Sequence, residues 1–429
     1  MDQSSFKALW HSAETLVTLD PQWITSDIPL GSIPNGAVAT TADGTIAWVG
    51  LSSDLDLSAL QSAGVICHDV SGQMLTPGLI DSHTHAIFAG DRSHEMEWRL
   101  AGETYQQIAA KGGGILTTVA ATRTADEDSL YALTKARLQQ MVAHGVSTIE
   151  AKSGYGLDEA TELKCLRVLK RLQAEGASER SWQLRITYMG AHDIPPEYRD
   201  APNGIDRYVD WLVTDGIPRV AELGLADTCD VFCETGYFTL AHTRRILETA
   251  QAHGLALKVH AEEFTTLGGA ALAAEFGALS ADHLLCIDDA GIQALAKSQT
   301  VATLLPGTAF FLRIPNYAPA RQLIDAGATV ALATDYNPGS CTIMSLPFIM
   351  QLGCLMMGMQ VHEVIRAGTL NAAQALGLQT TCGSLSVGKR GDFAVFDVPH
   401  PSALIYHTAQ HRCVQTVVTG HQAFLSCVK

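Results

Sequence analysis

Residues 74–85 read MLTPGLIDSHTH, an apolar run that ends in the motif His83-Thr84-His85. Side chains two residues apart in a strand point to the same side, so both imidazoles would face one point beyond this run. An isolated H-x-H motif is a weak signal, because many such pairs are ordinary packed or solvated histidines. At the end of an apolar strand, after PGLIDS, the pair instead indicates half of a metal site.

The same rhythm continues along the chain as apolar runs that end in polar residues, separated by amphipathic or Ala-rich stretches of helical period. The chain contains eight such runs, which is the number of strands in a (β/α)8 barrel. The pattern therefore predicts this α/β fold, in which the chemistry takes place at the C-terminal ends of the strands. The seven further runs are VSTIEAKSGY (146–155), LRITYMGAH (184–192), CDVFCETGYF (229–238), LKVHAEEF (257–264), SADHLL (280–285), VATLLPG (301–307) and TVALATDYNPG (329–339).

Both ends of the chain have a different pattern of short strands and turns, as in GAVATTADGTIAWVG near the start and GDFAVFDVP near the end. Each flank is too small to bury a sheet face alone, so together they predict one small composite β-sandwich beside the barrel. We therefore expect the N-terminal part of the sandwich at 1–72, the barrel at 73–378 and the C-terminal part of the sandwich at 379–429.

Composition excludes several classes of protein. Of the 429 residues 47% are hydrophobic and 17% charged, which is typical of a folded globular chain. A net charge of -16 without Lys or Arg clusters argues against a nucleic-acid partner, although one well-placed Arg can still bind a small anionic substrate. The chain shows neither a secretory signal nor a membrane-spanning window, so we expect a cytoplasmic protein. Cysteines without zinc-finger spacing, including Cys229 and Cys233, are expected to pack in the core.

The remaining ligands of the predicted metal site are expected at other strand ends. His260 in KVHAEE closes the fifth run, and Asp335 in ALATDYNPG closes the eighth. The alternative for these two residues is a solvated His and a capping Asp. A hydrolytic metal needs about three or four protein ligands and an open position, so we predict one divalent ion held by His83, His85, His260 and Asp335.

Two further titratable residues are acid–base candidates. Glu263 follows His260 by three residues, and His283 ends the sixth run. A carboxylate or imidazole near a metal can accept the proton of an attacking water. For His283 the alternative is a hydrogen bond that only supports its neighbours.

The ligand types and their strand positions resemble the amidohydrolase superfamily over essentially the whole chain. Glu234 stands where binuclear members carry a carbamylated Lys, which favours a single metal and a hydrogen-bonded or salt-bridged Glu234 over one that holds a second ion. Within the superfamily, several stretches resemble the imidazolonepropionase family: AGDRSHEMEWRLAGETYQQIAAKGGGILTTVAATR (89–123), EAKSGYGLD (150–158), YMGAHDIP (188–195), HAEEF (260–264) and DYNPGS (335–340).

This resemblance implies hydrolysis of the cyclic amide of 4-imidazolone-5-propanoate to N-formimidoyl-L-glutamate in histidine degradation, by a homodimer with bound zinc or iron, zinc favoured. Arg92 is expected on the propanoate carboxylate, although a surface Arg is the alternative, and Tyr155 is expected to add a hydroxyl donor. The full set expected to contact substrate or product is Arg92, Tyr155, His192, Glu263, Asn337, Gly339 and Ser340.

For catalysis we expect Glu263 to accept a proton from the attacking water and His283 to polarise the ring carbonyl. Asp335 would help to protonate the departing ring nitrogen. The allocation between Glu263 and His283 can also be the reverse.

Two other functions compete with this hypothesis. A deaminase of a cyclic amidine or nucleobase, such as cytosine or guanine, suits the same ligand types, but a neutral base would leave Arg92 without a partner. A non-catalytic barrel kept as an interaction scaffold would be expected to lose ligands, and every inferred ligand is present here.

Overall fold

The computed structural model describes residues 3–103, 107–108, 111–199 and 201–426, and in these ranges the strands form two separate sheets. In chain order the strands are β1 (Ala8–Val17), β2 (Ser32–Thr40), β3 (Ile46–Leu51), β4 (Ile66–Asp69), β5 (Met74–Pro77), β6 (Leu79–Asp81), β7 (Val146–Lys152), β8 (Gln183–Ala191), β9 (Thr228–Cys233), β10 (Ala256–Ala261), β11 (Ser280–His283), β12 (Val301–Leu304), β13 (Val330–Leu332), β14 (Phe393–Phe396), β15 (Cys413–Val418) and β16 (His421–Leu425).

One of the two sheets, the second along the chain, contains β6 to β13 side by side in chain order. Every neighbouring pair of its strands is parallel. Its two edges meet just beyond the strand ends, where Thr84 and Tyr336 form a parallel bridge. There His85 N donates to Tyr336 O (2.8 Å) and Asp335 N donates to His83 O (3.0 Å). This arrangement confirms the (β/α)8 barrel predicted from the eight apolar runs.

Helices connect the barrel strands, and two of the longest begin at a capping Asp. Asp126 and Asp158 accept hydrogen bonds from Ser129 N and Thr161 N at the starts of two long helices. The helices are Leu57–Ser62, Glu95–Leu100, Ile115–Thr124, Glu127–Ala143, Glu159–Glu179, Pro196–Arg199, Gly204–Trp211, Ile217–Glu222, Leu240–Ala252, Gly269–Glu275, Asp289–Ala296, Pro306–Leu312, Ala320–Asp325, Leu346–Met357, Val361–Ala367, Leu370–Gln374 and Pro401–Tyr406, with a 3-10 turn at Ser52–Asp54 and a π turn at Leu212–Gly216.

The first sheet joins both chain ends, as predicted. Its strand order is β16-β15-β14-β5-β1-β2-β3, with β4 paired to β1. Leu9 and Trp10, neighbours in β1, enter two different apolar clusters, so the sheet buries side chains on both faces. The N- and C-terminal segments therefore form one composite domain beside the barrel.

The first apolar run contributes to both sheets. Met74–Pro77 pairs with β1 and β14 in the composite sheet, and Leu79–Asp81 pairs with β7 in the barrel. Gly78 lies between them, and a Cβ there would lie 2.3 Å from Ser147 Oγ. The close approach requires Gly at this point, where the chain passes from one domain to the other.

Cys229 and Cys233 are buried in the barrel, in agreement with the core role expected for them. Within the described ranges, none of the helices combines the length and the apolar character that crossing a bilayer requires.

Candidate metal centre

Four side chains from three strand ends converge in the mouth of the barrel. His83 and His85 follow β6, His260 lies in β10 and Asp335 follows β13; all four are buried. The Nε2 atoms of His85 and His260 are 3.4 Å apart, and Asp335 Oδ1 lies 3.4 Å from His83 Nε2 and 3.5 Å from His85 Nε2. Ligand bonds of about 2.0–2.1 Å around a tetrahedral ion would separate ligand atoms by about 3.3 Å, so these separations fit a metal such as zinc.

The chemistry of these donors also fits a cation. Burial lowers the pKa of His83 and His85 well below the usual value, which keeps both imidazoles in the neutral, ligating form. His83 Nε2 is buried and has no hydrogen-bond partner among the described residues. Burial raises the pKa of Asp335 to about 6 in spite of its hydrogen bond from Thr308, and a neighbouring cation would offset that cost. Of the four predicted ligands, His83, His85 and His260 form one group whose donor atoms suit a metal. Asp335 forms a second such group with His83 and His283, which the sequence analysis had selected only as an acid–base candidate.

Two residues of the site adopt a left-handed backbone conformation, with φ of 51° at Asp335 and 79° at His283. Asp and His tolerate this region better than most residues, but each instance still costs on the order of 1–3 kcal/mol. Both turns occur where a barrel strand ends, and both side chains reach the cluster. Strain at such positions is typical of functional sites.

Two aspartates that the sequence analysis did not select form hydrogen bonds with the Nδ1 atoms of His83 and His260 and so orient these rings. His83 Nδ1 donates to Asp282 Oδ2 (2.6 Å), and His260 Nδ1 donates to Asp230 Oδ1 (3.1 Å). Each contact leaves Nε2 directed towards the centre, as the outer partners of metal-bound histidines usually do. The sequence does carry a signal for these two residues, because Asp282 and Asp230 occur inside otherwise apolar strands. Burial of an unpaired carboxylate there would cost free energy, so each Asp is expected to have a partner.

Lys152 and Lys258 compensate these buried carboxylates. Lys152 Nζ lies 2.7 Å from both Glu150 Oε1 and Asp230 Oδ2, and Lys258 Nζ lies 3.6 Å from Asp282 Oδ2. All five side chains are fully buried. Burial opposes the charged form of Asp230, but His260 and Lys152 hold its pKa well below the usual value. His83 and His260 are thus hydrogen-bonded to carboxylates of a buried ionic network.

We expect Asp282→Asn, which keeps the shape but removes the charge next to His83, to weaken zinc binding. Loss of an outer partner of a metal-bound His typically costs about 10–100-fold in metal affinity. Competition with a coloured chelator measures this change directly, and exposed Asp289→Asn is the matched control. Equal zinc affinities for the wild type and Asp282→Asn would show that Asp282 does not support the centre.

The acid–base candidates lie beside the cluster. Glu263 Oε2 is 3.7 Å from His283 Nε2, and the His283 ring centroid is 5.0 Å from that of His260. Burial, followed by the carboxylates of Asp335 and Glu234, raises the pKa of Glu263 well above its usual value. A divalent cation bound nearby would lower the pKa of Glu263 instead. A carboxyl group in such an environment is a candidate proton acceptor.

Glu234 holds the loop that carries Glu263. Its carboxylate accepts hydrogen bonds from Phe264 N (2.9 Å), Thr265 N (3.3 Å) and the Thr265 hydroxyl. In the described part of the chain, Glu234 belongs to neither of the groups whose geometry suits a metal. These contacts agree with the hydrogen-bonded alternative preferred for Glu234 over a ligand of a second ion.

His192 and Tyr155, both predicted to contact substrate, lie beside His85, one of the predicted metal ligands. The rings of His192 and His85 are stacked, with centroids 4.8 Å apart, and the Tyr155 ring is 5.2 Å from that of His192. His192 Nδ1 donates to Gly154 O (2.9 Å), which fixes the ring. The structure therefore brings these two aromatic side chains to one wall of the site.

The residues predicted at the end of the eighth strand lie next to Arg92. Asn337 organises the turn, because its Oδ1 accepts from Gly339 N (2.8 Å) and Ser340 N (2.7 Å). A Cβ at Gly339 would lie 2.5 Å from Arg92 Nη1. Arg92 is buried, so it is not the surface residue of the alternative interpretation.

The barrel, the His-x-His pair after its first strand, and the His and Asp at later strand ends together define a protein of the amidohydrolase class. In agreement, the family model described as "Amidohydrolase family" matches residues 101–424. Two solved structures share the fold: a zinc-bound adenosine deaminase from Xanthomonas campestris (TM-score 0.69, 17% identity, 99% of this chain and 95% of that chain) and a 5-methylcytosine deaminase from Klebsiella pneumoniae (TM-score 0.73, 16% identity, 98% and 99%).

Sequence relatives are more specific. Proteins named imidazolonepropionase are 46% identical in Porphyromonas gingivalis (393 residues, 92% of this chain and 90% of the relative), 44% in Shewanella baltica (405 residues, 94% and 96%) and 47% in a Geobacillus species (391 residues, 90% and 90%). The chain belongs to the imidazolonepropionases of the amidohydrolase family.

Proposed function

We propose that this protein is an imidazolonepropionase, which hydrolyses the cyclic amide of 4-imidazolone-5-propanoate to N-formimidoyl-L-glutamate in histidine degradation. The observation that carries this proposal is identity of 44–47% to proteins of that name over at least nine-tenths of the chain. A hydrolase that acts on C–N bonds agrees with the buried His and Asp cluster at the mouth of the barrel.

We further propose one divalent metal for each chain, zinc favoured over iron, held by His83, His85, His260 and Asp335. Such an ion would act as a Lewis acid on the ring carbonyl and would lower the pKa of a water. The support is the set of ligand separations near 3.4 Å together with the neutral imidazoles.

The side chains around the cluster suit the steps of amide hydrolysis. Glu263 would accept the proton released when water attacks the carbonyl carbon. His283 would donate a hydrogen bond to the oxygen that gains negative charge. The proton that Glu263 accepted would then pass to the ring nitrogen, with the help of Asp335, as the C–N bond breaks. The close approach of Glu263 to His283, at 3.7 Å, supports a shared role in this proton transfer.

A direct test follows the loss of ultraviolet absorbance of imidazolone propanoate. Wild-type enzyme should turn the compound over, lose activity after treatment with a chelator and recover it when zinc is returned. A protein that hydrolyses the compound equally well after complete removal of metal would contradict the proposed mechanism.

Arg92 is proposed to bind the propanoate carboxylate. Hydrogen bonds to a charged group are worth about 1.5–3 kcal/mol, so Arg92→Ala should raise KM for imidazolone propanoate by about 10–150-fold. Arg92→Lys should also be impaired, because a single ammonium does not reproduce the planar guanidinium. Steady-state kinetics provides the measurement, with Arg171→Ala on the outer helix Glu159–Glu179 as the control. An unchanged KM in Arg92→Ala would remove this contact from the proposal.

Arg92 also separates this function from deamination of a neutral base or nucleoside, the kind of activity in the names of the two structural relatives. A nucleobase without a carboxylate would leave Arg92 with no substrate group to bind. Turnover of imidazolone propanoate and not of cytosine or guanine is therefore expected.

The assembly and location are proposals as well. The family resemblance implies a homodimer, the cytoplasm is the location expected from the sequence patterns, and the charge of -16 argues against a nucleic-acid partner. Light scattering at micromolar concentration would test the dimer.

A further inference from the structure

Glu95 lies at the centre of a buried cluster around Arg92. Its carboxylate accepts hydrogen bonds from Arg92 Nε (2.8 Å) and Nη2 (2.9 Å), from Arg99 Nη2 (2.8 Å) and from Gly114 N (2.8 Å). The side chain is completely buried on the helix Glu95–Leu100. The sequence analysis did not select Glu95, although it selected the Arg92 that Glu95 binds.

The cluster keeps a net positive charge. Burial would raise the pKa of Glu95, but hydrogen bonds from Arg92 and Arg99 lower it to about 2, so the carboxylate is ionised. Two guanidinium groups face one carboxylate, which leaves one positive charge uncompensated within the cluster. That excess suits a second carboxylate supplied by a ligand.

The geometry assigns different roles to the two sides of the Arg92 guanidinium. One edge, Nε and Nη2, is paired with Glu95. Nη1 faces the turn after β13, where a Cβ at Gly339 would lie 2.5 Å from it. That turn begins at Asp335, a residue of the metal cluster. Nη1, on the side of the guanidinium that Glu95 does not hold, therefore faces the turn that Asn337 organises.

We infer that Glu95 is a positioning residue that gives the enzyme its preference for substrates with a carboxylate, by fixing the guanidinium of Arg92 before the substrate arrives. This inference rests on the proposed function. A free Arg side chain loses much rotamer freedom when it binds, and a guanidinium already held by Glu95 loses less. The bond from Gly114 N joins the same carboxylate to the Gly-rich segment at 112–114, so the loop and Arg92 are ordered together.

The test compares zinc-loaded wild type and Glu95→Gln on imidazolone propanoate and on its carboxamide counterpart. Glutamine has the same size but presents an amide nitrogen to a guanidinium donor, so the Arg92 plane should shift. Misplacement of a positioning group by about 1 Å can cost about 10²-fold. We expect kcat/KM for the carboxylate to fall by about 10–100-fold, mainly through KM. Turnover of the carboxamide should change less than about twofold, because it makes little use of Arg92.

Control variants separate positioning from folding. Glu97→Gln, on the exposed side of the same helix, should match the wild type with both substrates. Glu95→Asp keeps the charge and should restore part of the KM for the carboxylate. Thermal unfolding and zinc content show whether each variant is folded and loaded. Equal losses with the carboxylate and the carboxamide, or an unfolded Glu95→Asp, would mean a purely structural role and would overturn the inference.

A binding measurement keeps this inference distinct from the proposed function. Calorimetry with imidazole propanoate and imidazole propanamide, neither of which has a ring carbonyl to hydrolyse, reports the preference for a carboxylate without turnover. The wild type should bind the propanoate more tightly, and Glu95→Gln should lose that difference. Absence of wild-type hydrolysis would refute the proposed reaction, whereas an unchanged binding preference in Glu95→Gln would refute the role of Glu95.

Discussion

Replacement of His83 by Ala is expected to abolish stable metal binding and, with it, hydrolysis. His83 supplies the buried Nε2 that has no hydrogen-bond partner among the described residues, and it lies 3.4 Å from Asp335 Oδ1. Without His83 one of the four proposed ligands is lost and its buried partner Asp282 no longer orients an imidazole, so the ion should be held far more weakly. Elemental analysis should give one metal for each wild-type chain and almost none for His83→Ala. Activity on imidazolone propanoate should fall below detection.

The variant should remain folded, because the barrel does not depend on one side chain at its mouth. A ligand that binds only the native state stabilises it by about 2.7 kcal/mol at 100 times its Kd, so wild-type protein should show a higher Tm with zinc. His83→Ala should lack this response, whereas His253→Ala at an exposed position should keep it. A full equivalent of metal in His83→Ala, or two equivalents in the wild type, would show that the ligand set is wrong.

The barrel and the strand ends that carry the proposed metal ligands were predictable because both depend on local patterns. Strand and helix periods repeat eight times, and a polar residue at the end of an apolar run lies at the barrel mouth wherever the strands pair. His83, His85, His260 and Asp335 could therefore be brought together without knowledge of any contact. The division of the run 74–85 between two sheets could not be predicted, because the close approach of Gly78 to Ser147 is a tertiary contact.

The aspartates that orient the histidines could not be predicted from the sequence, because their contacts are also tertiary. Asp282 pairs with His83 and Asp230 with His260, and each pair joins residues from different strands. Spacing along the chain does not specify such partners, although a charge inside an apolar run indicates that one exists. Glu95 is a similar case, since an acidic residue in the first turn of a helix is explained equally well by the helix dipole.

Glu263→Gln is expected to lower kcat by about 10²–10⁴-fold, the usual contribution of general-base assistance. Glutamine preserves the size of the side chain but cannot accept a proton from the attacking water. The loop should stay in place, because Glu234 still accepts hydrogen bonds from Phe264 N and Thr265 N. Metal content should be unchanged and KM should change much less than kcat. Stopped-flow or steady-state kinetics with zinc-loaded protein measures both constants.

The pH profile decides between Glu263 and His283 as the proton acceptor. A general base must be deprotonated, so activity falls as the pH drops through its pKa. The group responsible for this acidic limb is identified by the variant in which the limb disappears or moves. If Glu263 is the base, the limb changes in Glu263→Gln, while His283→Asn lowers kcat but keeps the limb. If Glu263→Gln retains a near-normal kcat and the same limb while His283→Asn loses both, His283 accepts the proton. Glu263, at 3.7 Å from its ring, would then only orient it.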